Sequence, residues 1–423
     1  MKHSVEEVRL RSGARGLLID VPGASVMSYK ICFRAGLRYV KNYDVYEVAH
    51  LLEHMAFGRN ARFKDGQAYE AEFTKNGAYH NAWTSDTLIR YEAECADFEW
   101  ERIFDLQRVA ICQPRFNEEE LLSEKGNVGA EVSGYLNDYW RLLWPKLQKN
   151  VGENVLLFSE RMKTLKNITL ADVREHYRRT HTARNMRFVI AGRMKGRKKK
   201  LVNMLENWEL KEGKELGLPA DNLKNTEATL IRRKDANNIS FGFSWVLPRQ
   251  VGIREMFMME SLNHIWNGTM YGRMLGAARQ RGLIYSMGSS VSTNERASSW
   301  DFDGEVDEDK AEALFDLIEV ETKRLFEVGV DAADIERAKS YAMGRHQMNA
   351  QTVGQISEYY SGDYFTTGEI LEYDKVPALI QQMNANEMVA AAREFVCDGV
   401  RGMVAVGNVE ARVIKDLSGR IWG

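Results

Sequence analysis

Val48-Ala49-His50-Leu51-Leu52-Glu53-His54-Met55-Ala56-Phe57 is the stretch around which the chain is organised. It contains His-x-x-Glu-His. On a helix, residues three and four apart share a face, so His50, Glu53 and His54 project together. Two neutral imidazoles at this spacing can hold one Zn²⁺, with the glutamate between them over the metal's open position. Bound zinc lowers the pKa of its water to about 7, and a carboxylate beside that water can take its proton. Histidine is scarce, with 8 in 423 residues, which makes a chance match uncommon. The competing reading is an amphipathic helix with two incidental histidines; Leu51, Leu52 and Met55 serve as its core face in both cases. The presence or absence of the rest of a zinc site separates the two.

A tetrahedral catalytic site needs a third protein ligand and one open position. The candidate lies in Asn117-Glu118-Glu119-Glu120-Leu121-Leu122-Ser123-Glu124-Lys125-Gly126-Asn127-Val128-Gly129-Ala130-Glu131. Glu124 and Glu131 are two helical turns apart and fall on one face. One can bind the metal while the other holds a histidine or the water from behind. Carboxylates at this spacing also occur on ordinary solvated helix faces.

Together these residues resemble the insulinase/pitrilysin peptidases, the inverzincin group that includes processing-peptidase-like enzymes. The shared pattern is His-x-x-Glu-His followed, after a gap of this size, by Glu-x6-Glu. The resemblance implies Zn²⁺ as cofactor, His50, His54 and Glu131 as ligands, Glu53 as general base and Glu124 as a supporting carboxylate. Gly77-Ala78-Tyr79-His80-Asn81-Ala82-Trp83-Thr84 is similar to the family's Gly-x-x-x-Asn-Ala-x-Thr strand. There an extended peptide adds as an extra strand, which implies substrate contacts at Asn81 and Ala82. In the second half the family carries an arginine and a tyrosine seven apart that hold substrate. Tyr285 matches, but Ala278 stands seven before it and Arg279 only six. Either a one-residue slip lets Arg279 serve, or a related partner chain supplies the arginine. Arg279 and Arg281 also read as two solvated helix-end cations.

The composition is that of an ordinary globular protein, 44% hydrophobic and 28% charged, long enough for two to four domains. A formal net charge of −2 with pI near 6.5 argues against nucleic acid as a partner. No apolar run reaches membrane-spanning length, and the opening Met-Lys-His-Ser-Val-Glu-Glu has no apolar signal core. Cys32, Cys95, Cys112 and Cys397 are widely spaced and read as reduced thiols, so a cytoplasmic protein is expected.

Along the chain, strand-like runs precede a zinc helix expected over 45–57. A helix over 67–75, strands over 78–84 and 87–94 and a helix over 97–112 follow. Asn117 with Glu120, and Thr169 with Asp172, read as capping boxes. His176 and His181, remote from the motif, read as surface or structural. The basic run 193–200 reads as a solvated helix start. Three echoes suggest two homologous halves: Ile103–Leu106 with Leu314–Leu317, Asn117–Glu124 with Asp331–Ala338, and Val189–Gly192 with Val404–Gly407. The expected fold class is α+β, with two homologous domains, each a mostly antiparallel sheet packed with helices. The expected boundaries are a metal domain over 1–210, a linker over 211–226 and a second domain over 227–423 that contributes substrate contacts and dimerisation. By resemblance the chain is expected to be a zinc endopeptidase of extended peptides, working as a homodimer or as a heterodimer with a related subunit. The alternatives are the zinc-bearing half of a heterodimeric processing peptidase and a non-catalytic structural subunit.

Overall fold

The computed structural model describes residues 1–422. The chain begins β1 (Ser4–Arg9), β2 (Arg15–Asp20), β3 (Val26–Phe33), α1 (Val48–Ala56), α2 (Gly66–Thr74), β4 (Tyr79–Thr84) and β5 (Ile89–Ala96). It continues α3 (Trp100–Cys112), α4 (Glu118–Tyr135), α5 (Tyr139–Val151), α6 (Phe158–Leu165), α7 (Leu170–Thr180), β6 (Met186–Gly192) and α8 (Lys198–Glu206). Then come β7 (Thr229–Arg232), β8 (Ile239–Leu247), α9 (Ile253–Asn263), α10 (Arg273–Gln280), β9 (Ile284–Thr293) and β10 (Ser298–Val306). It closes with α11 (Glu308–Glu327), α12 (Ala332–Met348), α13 (Val353–Thr366), α14 (Val376–Gln381), α15 (Ala385–Asp398), β11 (Val400–Gly407) and α16 (Ala411–Trp422).

These elements form two compact units that do not coincide with the halves of the chain. The first holds Met1–Gly134, Phe158–Pro219 and Met348–Ile370; the second holds Tyr135–Leu157, Ala220–Gln347 and the chain from Leu371 onward. Each unit therefore takes one helix from the other half: α13 packs on β3 and β6 of the first, α5 on β8 and β11 of the second.

The first sheet has the order β1-β2-β6-β3-β5-β4, the second β7-β11-β8-β10-β9. Among the described strands, only β2/β6 and β11/β7 pair in parallel. In order and sense β2-β6-β3-β5-β4 matches β7-β11-β8-β10-β9, and the three sequence echoes fall on the corresponding pairs α3 and α11, α4 and α12, β6 and β11. Each sheet is mostly antiparallel with helices against it, the expected α+β class.

Strand β3 shows why α13 is needed. Met27, Tyr29, Ile31 and Phe33 alternate with Ser28, Lys30 and Cys32, and both sets are buried. Glu358 of α13 makes the burial of Lys30 tolerable, accepting from Lys30 Nζ at 2.6 Å while Glu92 accepts at 3.2 Å. Arg90 donates to the same two carboxylates. In the second unit the exchanged helix is apolar instead: Leu143, Leu147 and Val151 of α5 pack on Val404 and Val406. Trp245, Trp300, Phe243 and Phe302, all fully buried, form a further part of that unit's core. Each such large apolar side chain contributes about 1.5–3 kcal/mol by leaving water.

The helix expected over 45–57 begins later, as α1 at Val48, because Tyr43–Val45 forms a separate 3₁₀ turn. Thr169 and Asp172 make the full reciprocal capping box of α7. Asn117 Oδ1 accepts from the Glu120 amide at 2.9 Å, and the Glu120 carboxylate divides its oxygens: Oε2 accepts from Asn117 Nδ2 at 2.7 Å and Oε1 from the Arg59 amide at 2.8 Å. Arg193 and Arg197 of the basic run pair with Asp97, Lys198 with Glu6 and Lys200 with Glu101. His176 and His181 are buried, so of the two readings it is the structural one that holds. Residues 209–226 contain no helix or strand beyond a bridge between Lys211 and Thr182.

Candidate metal centre

Helix α1 is buried around most of its circumference: Val48, Ala49, Leu51, Leu52, Met55 and Ala56 all lie in the core. With α7 and β4 packed against it, the remaining face has one orientation available. That face carries His50, Glu53 and His54, as the spacing requires.

His50 Nε2 and His54 Nε2 converge on one oxygen, Glu131 Oε2 of α4, at 3.6 and 3.7 Å. The three ligand atoms lie within 4.8 Å of one another, and no other such group of three occurs among the described residues. Both Nδ1 atoms are already engaged: His50 Nδ1 donates to Glu47 Oε2 at 3.1 Å and His54 Nδ1 to Glu124 Oε2 at 2.9 Å. An ionised carboxylate only accepts, so each ring carries a proton on Nδ1, and in the neutral ring the lone pair is left on Nε2, the nitrogen that faces Glu131. Asn127 Nδ2 donates to the same Glu124 oxygen at 3.0 Å and holds it in place.

Burial acts to lower the His50 pKa, but the Glu47 carboxylate, with Glu53 and Glu131, lifts it above the ordinary histidine value. Burial pushes the Glu53 carboxyl up; His50, the Thr84 hydroxyl and His54 oppose this only partly. Thr84 Oγ1 is buried and makes no well-formed hydrogen bond, so it approaches Glu53 without closing on it.

Sequence reading missed Glu47 and Arg161. Glu47 is fully buried, hydrogen-bonded to His50 and held by the Arg161 guanidinium of α6. Glu47 precedes His50 by three residues, a spacing at which helical neighbours meet, so a signal was present. Arg161 stands 114 residues away and offered none.

Asn81 and Ala82 lie on β4, the edge strand of the first sheet, opposite Glu92 and Tyr91 of β5. Among the described residues, the other edge of β4 has no strand partner. Asn81 is exposed, while Ala82 is buried. His80 turns inward to Glu70 at 2.6 Å, against Phe57 and Phe73.

Arg279 and Tyr285 belong to the second unit. Arg279 Cζ stands 4.7 Å from the Tyr285 ring centre, and its guanidinium also donates to the Tyr285 carbonyl. Tyr285 is exposed and borders a recess of about 570 Å³ with Trp140, Glu305, Asp307 and Lys310. Ala278 is wholly buried, so the position seven before Tyr285 is a packing position, and Arg279 is the residue that reaches the tyrosine.

Residues 17–168 match the sequence model of insulinase (peptidase family M16), and residues 167–341 match that of the peptidase M16 inactive domain. The latter half has no His-x-x-Glu-His. No curated protein matches the chain in sequence. Among solved structures the fold is similar to a protease from Helicobacter pylori, at 15% identity and TM-score 0.82, over 96% of this chain and 99% of that one. It is similar to a peptidase M16 inactive domain from Pseudomonas fluorescens at 17% identity and TM-score 0.84, over 96% and 99%. A chain of complex III2 from Candida albicans matches at 12% identity and TM-score 0.80, over 98% and 99%. With both sequence models matched in tandem and the two-domain fold shared, the chain belongs to the insulinase family of peptidases, M16.

Proposed function

We propose that the chain is a zinc-dependent endopeptidase acting on extended or unfolded peptides. The observation that carries this reading is the convergence of two imidazole Nε2 atoms and one carboxylate oxygen, with both Nδ1 atoms backed by carboxylates. Around a tetrahedral zinc with bonds of 2.0–2.1 Å, ligand atoms stand about 3.4 Å apart. The 3.6 and 3.7 Å separations from Glu131 suit that geometry. His50, His54 and Glu131 would hold the ion and leave a fourth position for water.

When bound, zinc would polarise the scissile carbonyl and bring the pKa of the water to about 7. Glu53 takes the proton of the attacking water and passes it to the leaving amide nitrogen. Its burial, which favours the protonated form, suits it to hold the proton between the two transfers. Substrate backbone adds along the open edge of β4 at Asn81 and Ala82. Arg279 and Tyr285, already paired, offer a guanidinium and a phenol to substrate or to a developing oxyanion.

We read the working form as a dimer. One observation favours a heterodimer with a related subunit: the family arginine position is taken by the packed Ala278. The similar chain of complex III2 is itself part of an assembly. The complete donor set argues against a purely structural subunit. All four cysteines are unbridged, which supports a reducing compartment such as the cytoplasm. Among the described residues, no helix is long and apolar enough to cross a membrane.

The test is cleavage of quenched, unstructured peptides by the purified chain, with and without a zinc chelator. Chelator-sensitive cleavage supports a site complete in this chain. Bound zinc without cleavage moves the assignment to the heterodimer, and absence of zinc binding refutes the reading.

A further inference from the structure

Glu47 is a carboxylate shut entirely away from water. Such a group persists only where cations and donors compensate it. Both of its oxygens are spoken for. Arg161 donates to Oε1 through Nε and to Oε2 through Nη2 at 3.2 Å, and His50 Nδ1 donates to Oε2 at 3.1 Å. The Glu47 amide donates to Thr164 Oγ1 at 3.3 Å, so α6 grips both the side chain and the backbone at the start of α1. The support behind His54 is of another kind. Glu124 is about a quarter exposed, and its bonding oxygen is shared with Asn127.

We infer that Glu47, clamped by Arg161, is a positioning residue for the metal: it locks His50 with its proton on Nδ1, aims Nε2 at Glu131, and thereby sets the affinity for zinc. The inference rests on the zinc reading above. His50 is then the rigid ligand of the pair and His54 the adjustable one. The plain alternative is that the Glu47–Arg161 pair only ties α6 to α1 and has no bearing on the metal.

Zinc affinity, measured by competition with a chromogenic chelator, and the thermal midpoint of the metal-free chain separate these for wild type, Glu47→Gln and Arg161→Gln. Positioning predicts that Glu47→Gln weakens zinc binding by roughly 10–100-fold. Arg161→Gln, which leaves the carboxylate on His50, should weaken it less. Lower thermal midpoints with zinc affinity within about twofold of wild type would overturn the inference in favour of the structural tie. The histidine ¹⁵N spectrum of metal-free wild type needs no variant. Recorded at a pH where the ring is neutral, it should show the His50 proton on Nδ1, and a neutral ring with its proton on Nε2 instead would overturn the inference even if Glu47→Gln does not fold. Wild type that binds no zinc refutes the peptidase reading itself, and the tautomer measurement then decides the role of Glu47.

Discussion

Glu358→Gln tests the docking of α13 on the first sheet. Burial would raise the Glu358 carboxyl, but the hydrogen bonds from Arg90 and Lys30 outweigh it and hold the group at about 2. A depressed folded-state pKa gives stability that is present above the unfolded value, about 4.5, and lost as the pH falls toward 2. From 4.5 to about 2, the full shift is worth roughly 3 kcal/mol. The side chain is 56% exposed, and solvent screening reduces this to about 1 kcal/mol. Glu358→Gln is therefore expected to destabilise the first unit by about 1 kcal/mol at neutral pH, with the gap to wild type closing between about pH 4.5 and pH 2. A chain of two units need not unfold in one step, so the suitable readout is hydrogen exchange of the β3 and β6 amides across that range. A gap that stays constant with pH would show that ionised Glu358 does not hold the helix.

Glu53→Gln should retain zinc, read by metal analysis, while lowering kcat by about 10²–10⁴-fold; unchanged turnover would remove Glu53 as the base. Arg279→Ala removes the guanidinium from the Tyr285 ring and should lower kcat/KM about tenfold at unchanged zinc content, and an unaltered kcat/KM would take the pair out of substrate binding. Leu143→Ala should destabilise the second unit by about 2–5 kcal/mol, since Leu143 is wholly buried on Val404 and Val406. A loss below about 1 kcal/mol in denaturant would mean that α5 does not cover that sheet. Burial lowers His176 to about 4. The unfolded chain takes up that proton near pH 6.5 and the folded chain does not, so stability should fall from about pH 6.5 to pH 4. His176→Gln should flatten that slope, and an unchanged slope would assign it to other groups.

Helix α1 with its His-x-x-Glu-His was legible because its signal is local. His50, Glu53 and His54 declare themselves by spacing, and the backbone of a buried helix leaves them no other arrangement. Glu131 needed the resemblance, since seven-residue spacing on α4 is equally that of a solvated face. The reciprocal cap at Thr169 and Asp172 was readable for the same local reason. At Glu120 the outcome is divided: one carboxylate oxygen stays with the Asn117 side chain, and the Arg59 amide, from a distant segment, takes the other. The basic run looked solvated because the carboxylates it meets, Asp97, Glu6 and Glu101, come from distant segments. Lys30, a charge at a buried strand position, contradicts its own periodicity until Glu358 arrives from 328 residues away. Periodicity shows that a helix has an apolar face but not which sheet receives it, so the crossing of α5 and α13 between units left no mark on the sequence.

That crossing sets the order in which the molecule can be finished during synthesis. β6, which completes the first sheet, ends at Gly192, whereas α13 ends at Thr366. At about 5–20 residues per second, a ribosome takes roughly 9–35 s to cover the interval. Throughout it, Lys30 and Arg90 have Glu92 but not Glu358, and the face carrying Ser28 and Cys32 lacks its cover. The His50–His54–Glu131 cluster is thus housed in an incomplete unit until α13 has been made. For the same reason, severing the backbone within 209–226 releases no self-sufficient piece. Each fragment keeps a helix that belongs on the other's sheet, so the two fragments are expected to remain bound and, when expressed separately, to need each other to fold.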